Sequence, residues 1–447
     1  MLRFKSAFCL SLLLAASACS SETSIQFVVN TTADLHDATP GDGDCATVDG
    51  GDLCSLRAAV EEANALPTMA GQWINITVPA GTYRLTIEDI DGLTLTQDRL
   101  TLTGEGRSET ILDGDGDSRL LTIDDADQVL VEQMTLRNGS RSLFGDTGGA
   151  VRIDGPGFLV TFSDTAIEDS SANFGGGGIL ADGPGTLNII NSLVANNRAA
   201  TCTGGGVSGG GGIWASNLAL NVVQSEFRDN CASWGGGIRI SGGQNHLILR
   251  STIAENRGAT TGAGIMFSDG TGRIEDSTVA LNSDNDDDVS ADGSAGAIHV
   301  IDSTLSIVSS TIVENENTQG DDTVTGGLRV SGASSVDLRN TVLAGNHGNG
   351  SGDDDCAGDI DSSGGNFLGE DSDGCDFDAL GSDTVNGGDP QLGSLANNGG
   401  RTRTMFPQLG SPLVNGGVSG CEPIDQRGLD FAAPRFGGCD IGAVERN

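Results

Sequence analysis

From about residue 100 to 346 the chain is built of short runs in which apolar and polar residues alternate, as in "LRVSG" (328–332) and "LSIVSS" (305–310). Alternation at period two marks strands with one side turned to a core and the other to water. Each set of runs follows a glycine cluster, passes a Ser or Thr, and closes on an Asn. The apolar residues Ile179, Ile213, Ile238, Ile265, Ile298 and Leu328 open successive units 25 to 34 residues apart, and Asn196, Asn230, Asn256, Asn282, Asn315 and Asn346 close them. A repeat of that length with no helical periodicity inside it predicts a solenoid. The predicted fold is all-β: a right-handed parallel β-helix whose coils stack about 4.8 Å apart. Glycine supplies the left-handed backbone angles at the turn into each first strand. The recurring Asn suits a tight bend, and stacked Asn residues form a ladder.

A solenoid exposes core and strand edges at its ends, so caps are expected. "CSLRAAVEEANAL" (54–66) is the one convincing amphipathic helix: Ser55 can cap it, and Leu56, Val60, Ala63 and Leu66 share a face. It is expected over the open N-terminal end. The chain divides into an export signal (1–18), an N-terminal cap with the first coils (19–110), the repeats (111–346) and an irregular, disulfide-stapled C-terminal cap (347–447).

The first residues carry Arg3 and Lys5, then "FCLSLLLAA", then "ASA" ahead of Cys19. This reads as an export signal, too short to span a bilayer, and Cys19 stands where a lipoprotein would carry its lipid. The expected location is the outer membrane or cell surface through that lipid, or the extracellular space. Eight further cysteines fall as near neighbours: Cys45 and Cys54, Cys202 and Cys231, Cys356 and Cys375, Cys421 and Cys439. In an oxidising compartment four local disulfides are expected, although sequence leaves the connectivity open.

Charge narrows the partners. The 447 residues carry a net charge of −39, which becomes −41 when residues 1–18, with Arg3 and Lys5 and no acid, are removed. Such a field excludes nucleic acid, and leaves a membrane as a partner only through the N-terminal lipid. It serves either solubility in salt or calcium binding. With no Lys after Lys5, lysine Schiff-base chemistry is excluded.

"PGDGDCATVDGGDLCSLRAAVEEANA" (40–65) resembles the N-terminal motif of exported bacterial proteins with a Cys-Ser-Leu-Arg-Glu-Ala signature, with Ala58 in place of the Glu. "DPQLGSLANNGGRTRTMFPQLGSPLVNGG" (389–417), with "DQRG" and "CDIGAVE" after it, resembles the C-terminal domain called choice-of-anchor Q. The Gly-Gly-x-Ile and Phe-x-x-Asn elements are similar to the repeats of polymorphic outer membrane proteins. Those proteins end in an aromatic-rich translocating barrel, whereas here no Tyr follows Tyr83, so self-transport by that route is not expected. The resemblance implies an extracytoplasmic or surface β-helix.

The outward residue next to each opening apolar position reads Arg152, Leu180, Trp214, Arg239, Met266, His299, Arg329 down the coils. On a body this acidic, Arg152, Trp214, Arg239, His299 and Arg329 form a basic, partly aromatic stripe suited to an acidic polysaccharide through Arg pairing and Trp stacking. The competing account is Arg–Trp packing that merely covers the sheet. If the stripe binds, Arg239→Ala with Arg329→Ala weakens glycan retention without unfolding. Asp113, Asp115 and Asp117 alternate as calcium ligands do, without the other ligands of an EF-hand. "DNDDD" (284–288) reads as a solvated loop. No cofactor beyond possible calcium is implied. The expected function is a non-catalytic surface adhesin or structural glycan-binding protein. The alternatives are a calcium-dependent polysaccharide lyase or a hydrolase on the same fold, and an envelope protein with no ligand.

Overall fold

The computed structural model describes residues 24–50, 52–67, 71–87, 89–200, 209–284, 295–317, 325–348, 354–370, 374–419, 423–428 and 438–446. Its strands pair in parallel with the equivalent strand one coil away and wind into a right-handed β-helix. Three long ladders run its length. One holds the glycine-led strands, among them Val151–Asp154, Ile213–Ser216, Ile238–Ser241 and Leu328–Ser331. The second holds the next strand of each coil, such as Phe158–Ser163, Ala219–Val223, Thr271–Glu275 and Ser335–Arg339. The third holds short strands such as Glu226–Arg228 and Thr252–Ala254. A fourth, broken ladder of brief pieces, including Cys231–Trp234 and Arg257–Thr261, lies beside the first.

The inward residues form one apolar cluster from Phe27 to Leu368. Leu56, Ala59, Val60 and Ala63 of the helix Leu56–Ala65 belong to it, so this helix closes the N-terminal end as its amphipathic pattern predicts. Ser55 caps the helix, its hydroxyl accepting from the Ala58 N–H at 3.0 Å. The Cys45–Cys54 disulfide ties the approach to it.

Stacked polar side chains keep the buried turns saturated. The Nδ2 of Asn230 donates to Asn256 at 3.0 Å, Asn256 to Asn282 at 2.9 Å and Asn282 to Asn315 at 2.9 Å, and each is fully buried. Each amide oxygen also accepts a backbone N–H from the preceding coil, so donors and acceptors are both met. At the first of these turns the ladder residue is Asn197, not the expected Asn196. Asn197 bonds to Asn230 at 3.1 Å, while Asn196 takes the left-handed position (φ 56°) that precedes every ladder residue. Two adjacent asparagines hid that one-residue offset. The glycines and this ladder explain each other: a methyl group on Gly237 would lie 3.1 Å from Asn256 and 2.6 Å from the Gly264 carbonyl oxygen. A parallel ladder of Ser225, Ser251 and Ser277 hydroxyls holds the preceding turn.

The C-terminal region is more than an end cap. Cys356–Ser362, Phe367–Leu368 and Cys375–Asp378 extend the ladders, and Cys356 is bonded to Cys375. The chain beyond about 389 then folds back along the outer face of the third ladder. Arg403 reaches Glu226 and Glu255 at 2.7 Å each, and Gln426 donates to Thr252 at 2.9 Å and accepts from Thr278 at 2.6 Å. Met405, Leu413 and Ile441 pack on Ala280, Val313 and Val342. Cys231 and Cys439 each take part in a disulfide as well. Cys202, Cys421 and Cys19, where a lipid is expected, lie outside the described residues, as do the expected export signal (1–18) and most of "DNDDD".

Candidate functional site

The predicted stripe exists as a row. Arg152, Leu180, Trp214, Arg239, Met266, His299 and Arg329 are register partners in unbroken succession down the first ladder. It is not the exposed basic surface expected of it, because the brief strands of the fourth ladder and their turns lie against it. The Arg239 guanidinium sits 4.5 Å from the centre of the Trp214 ring and 4.8 Å from that of Trp234. Its Nε is buried with no hydrogen-bond partner among the described residues, and burial draws its pKa down to about 10. His299 is 6% exposed, held between the hydroxyls of Thr261 and Ser331. Burial, helped by Arg329, drops its pKa to about 3, so it is neutral at physiological pH. Arg152 is tied to Asp154. The competing account, packing that covers the sheet, describes the centre of this row. Alternation reports which residues leave the core, and says nothing of a fourth layer placed over them.

Asp113, Asp115 and Asp117 do not converge either. Asp113 is 2% exposed and turned to Arg137 and Asn138, each at 2.9 Å. Burial alone would raise its pKa, but Asn138, the Asp115 N–H and Arg137 outweigh it and hold the carboxyl below its usual range. Asp115 faces Arg84 at 3.6 Å in solvent. Among the described residues no group of three or more acidic, His or Cys side chains is arranged to hold a metal ion.

An open groove lies instead on the outer face of the second ladder. It measures about 500 Å³ and is lined by Asn221, Thr271, Arg273, Thr304, Ser306 and Asp337, with Leu247 in its floor. Asn221, Leu247, Arg273, Ser306 and Asp337 are successive register partners, one per coil. Upstream the row continues through Asn188 and Thr161, joined by side-chain hydrogen bonds of 2.9 and 3.1 Å. Arg273 is exposed and bound to Glu275 at 2.9 Å, and Asp337 accepts the Ser363 hydroxyl at 2.7 Å. Apart from Leu247, these side chains offer an amide, a paired guanidinium, a hydroxyl and a carboxylate, one per coil, on a rigid sheet. The sequence carries a signal for this groove that the first-strand row does not contain: the equivalent outward position of the second strand is polar at nearly every coil from Thr161 to Asp337.

No family model matches the chain, and no curated protein matches it. Among solved structures its fold is similar to that of pectate lyase Pel9A, with a TM-score of 0.50, 16% identity, and coverage of 96% of this chain and 97% of that one. Smaller overlaps are found with the A-module of mannuronan C-5 epimerase AlgE4 from Azotobacter vinelandii (TM-score 0.37, 16% identity, 77% and 95% coverage). The enzymatically active domain of tailspike protein 2 from bacteriophage CBA120 overlaps likewise (TM-score 0.37, 12% identity, 70% and 47% coverage). At these identities the likeness is one of fold.

Proposed function

We propose that this chain is an exported, surface-held β-helix protein that binds an extended, hydroxyl-rich polysaccharide along the Asn221–Asp337 groove without cleaving it. The observation that carries the reading is the register row: an amide, a guanidinium, a hydroxyl and a carboxylate stand on four of five successive coils along an open groove, with Leu247 between the first two, and a regular polymer presents its own polar groups at regular intervals. A neutral or sparsely charged polymer is favoured over a polyanion, because Arg273 in the groove lining is offset by Asp337 and the chain carries −39. The groove's charged groups are spread along it, Arg273 paired with Glu275 and Asp337 accepting the Ser363 hydroxyl, and binding without cleavage is the part of the reading that the released-end measurement below decides. Export, with a lipid on Cys19, is supported by the apolar run ahead of that residue and by the disulfides.

Affinity electrophoresis of the chain through gels carrying neutral and acidic polysaccharides tests the reading. Retardation by a neutral polymer, lost in Ser306→Trp and with no reducing or unsaturated ends released, supports it. Released unsaturated ends would make the protein a lyase, and no retardation by any polymer would leave a structural envelope protein.

A further inference from the structure

The geometry points to a second binding site, for the carboxylate of a single acidic sugar residue, at the seam where the folded-back C-terminal segment meets the solenoid flank. The site is separate from the Asn221–Asp337 groove and does not rest on it. A cavity of about 300 Å³ there is lined by Arg107, Asn191, Gln224, Glu226, Arg228 and Arg401. Three guanidinium groups around one small cavity stand out in a chain whose acids outnumber its bases by 62 to 23.

Their availability is what matters. The Arg107 guanidinium is exposed and has no ion-pair partner among the described residues; the turn that bears it is fixed by the Thr135 hydroxyl, which donates to the Arg107 carbonyl at 2.7 Å. Arg228 pairs with Asp229 at 2.7 Å and lies 3.9 Å from Glu226, and Arg401 pairs with Asp164 at 3.2 Å; the Asp229 and Asp164 pairs are open enough to water to exchange for a ligand carboxylate. The acid in the wall, Glu226, does not repel such a ligand, because Arg403 takes its charge at 2.7 Å. Asn191 Oδ1 is buried with no hydrogen-bond partner among the described residues. Asn191 and Gln224 add amide-bearing residues to the lining, a residue type that pairs with sugar hydroxyls. The Asn191 backbone is set by the left-handed turn (φ 51°) ahead of Ser192, whose N–H is fixed to Ser225 at 3.0 Å. The cavity lies at the small end of ligand sites, so it admits one ring and not a polymer.

Titration calorimetry of the full chain with methyl galacturonoside, its methyl ester and methyl galactoside tests the site. The acid should bind saturably, about tenfold more tightly than ester or galactoside. Arg107→Ala and Arg401→Gln should each weaken it about fivefold or more. The groove variant Ser306→Trp should bind the acid as the parent does, and Arg107→Ala should leave retention by neutral polymer unchanged. Arg107→Ala is the decisive variant, because its position on an exposed turn leaves the C-terminal seam intact. Equal affinity for acid and ester, or an Arg107→Ala variant that binds like the parent, would overturn the proposal, as would loss of acid binding in Ser306→Trp.

Discussion

Arg239 lies over Trp214, its guanidinium carbon 4.5 Å from that ring centre and 4.8 Å from that of Trp234. A partly buried cation in contact with two indoles is worth about 2 kcal/mol to the fold, and its removal leaves a gap beside the rings. Arg239→Ala should therefore lower unfolding stability by about 2 kcal/mol in urea titration while leaving polysaccharide retention unchanged. Reduced retention at unchanged stability would return the row to a binding role.

The asparagine ladder makes a paired prediction. Asn197→Ala removes a fully buried amide and strands the groups it serves, among them the Ile167 carbonyl at 2.8 Å and the Ser170 N–H at 3.1 Å. A loss of about 3 kcal/mol is expected. Asn196→Ala gives up only a side chain suited to a left-handed turn, and should cost about 1 kcal/mol. Thermal melts of the two variants compare them directly; the reverse order would show that the ladder runs through Asn196.

These two cases show what the residue pattern could and could not convey. Period-two alternation and the 25 to 34 residue spacing specify a parallel β-helix because each coil must bury the same face in register with the next. The helix over one end was legible from Ser55, Leu56, Val60 and Ala63 for the same reason. What covers an outward face depends on contacts between distant segments, and local pattern does not encode them. Thus Trp234 over Arg239, and Arg403 on Glu226 and Glu255, had no local signal. The groove residues are legible in the sequence, since Asn188, Asn221, Ser306 and Asp337 are polar at equivalent positions of their coils, whereas the rarer Arg and Trp mark the other sheet, where a further layer covers them.

Calcium at Asp113, Asp115 and Asp117 is not expected, because Asp113 is engaged by Arg137 and Asn138. Adding a chelator should leave the melting temperature unchanged; a clear fall would place a calcium ion in the fold.

The C-terminal seam should respond to pH. Burial pushes the Glu445 carboxyl from the ordinary 4.5 to about 7, with Asp440 and Asp425 adding to the rise and the Asp440 N–H and Arg427 opposing it. Burial likewise raises Asp440. Between 4.5 and about 7 the folded chain holds a proton that the unfolded chain has released, so this contribution is complete below that window and lost as pH rises through it. Protonation of carboxylates also relieves the general charge repulsion at low pH, so the informative quantity is a difference. The melting temperature of the parent should fall more steeply from pH 5 to pH 8 than that of Glu445→Gln, and parallel curves would contradict the assignment.

The central claim is that the outer face of the second ladder, and not the Arg239 row, holds a polysaccharide. The most direct measurement compares retention of Ser306→Trp and Arg239→Ala in a gel carrying the polymer that retards the parent chain. The account predicts free migration of Ser306→Trp and undiminished retardation of Arg239→Ala at a temperature where both are folded. Undiminished retardation of Ser306→Trp, with loss in Arg239→Ala, would contradict it.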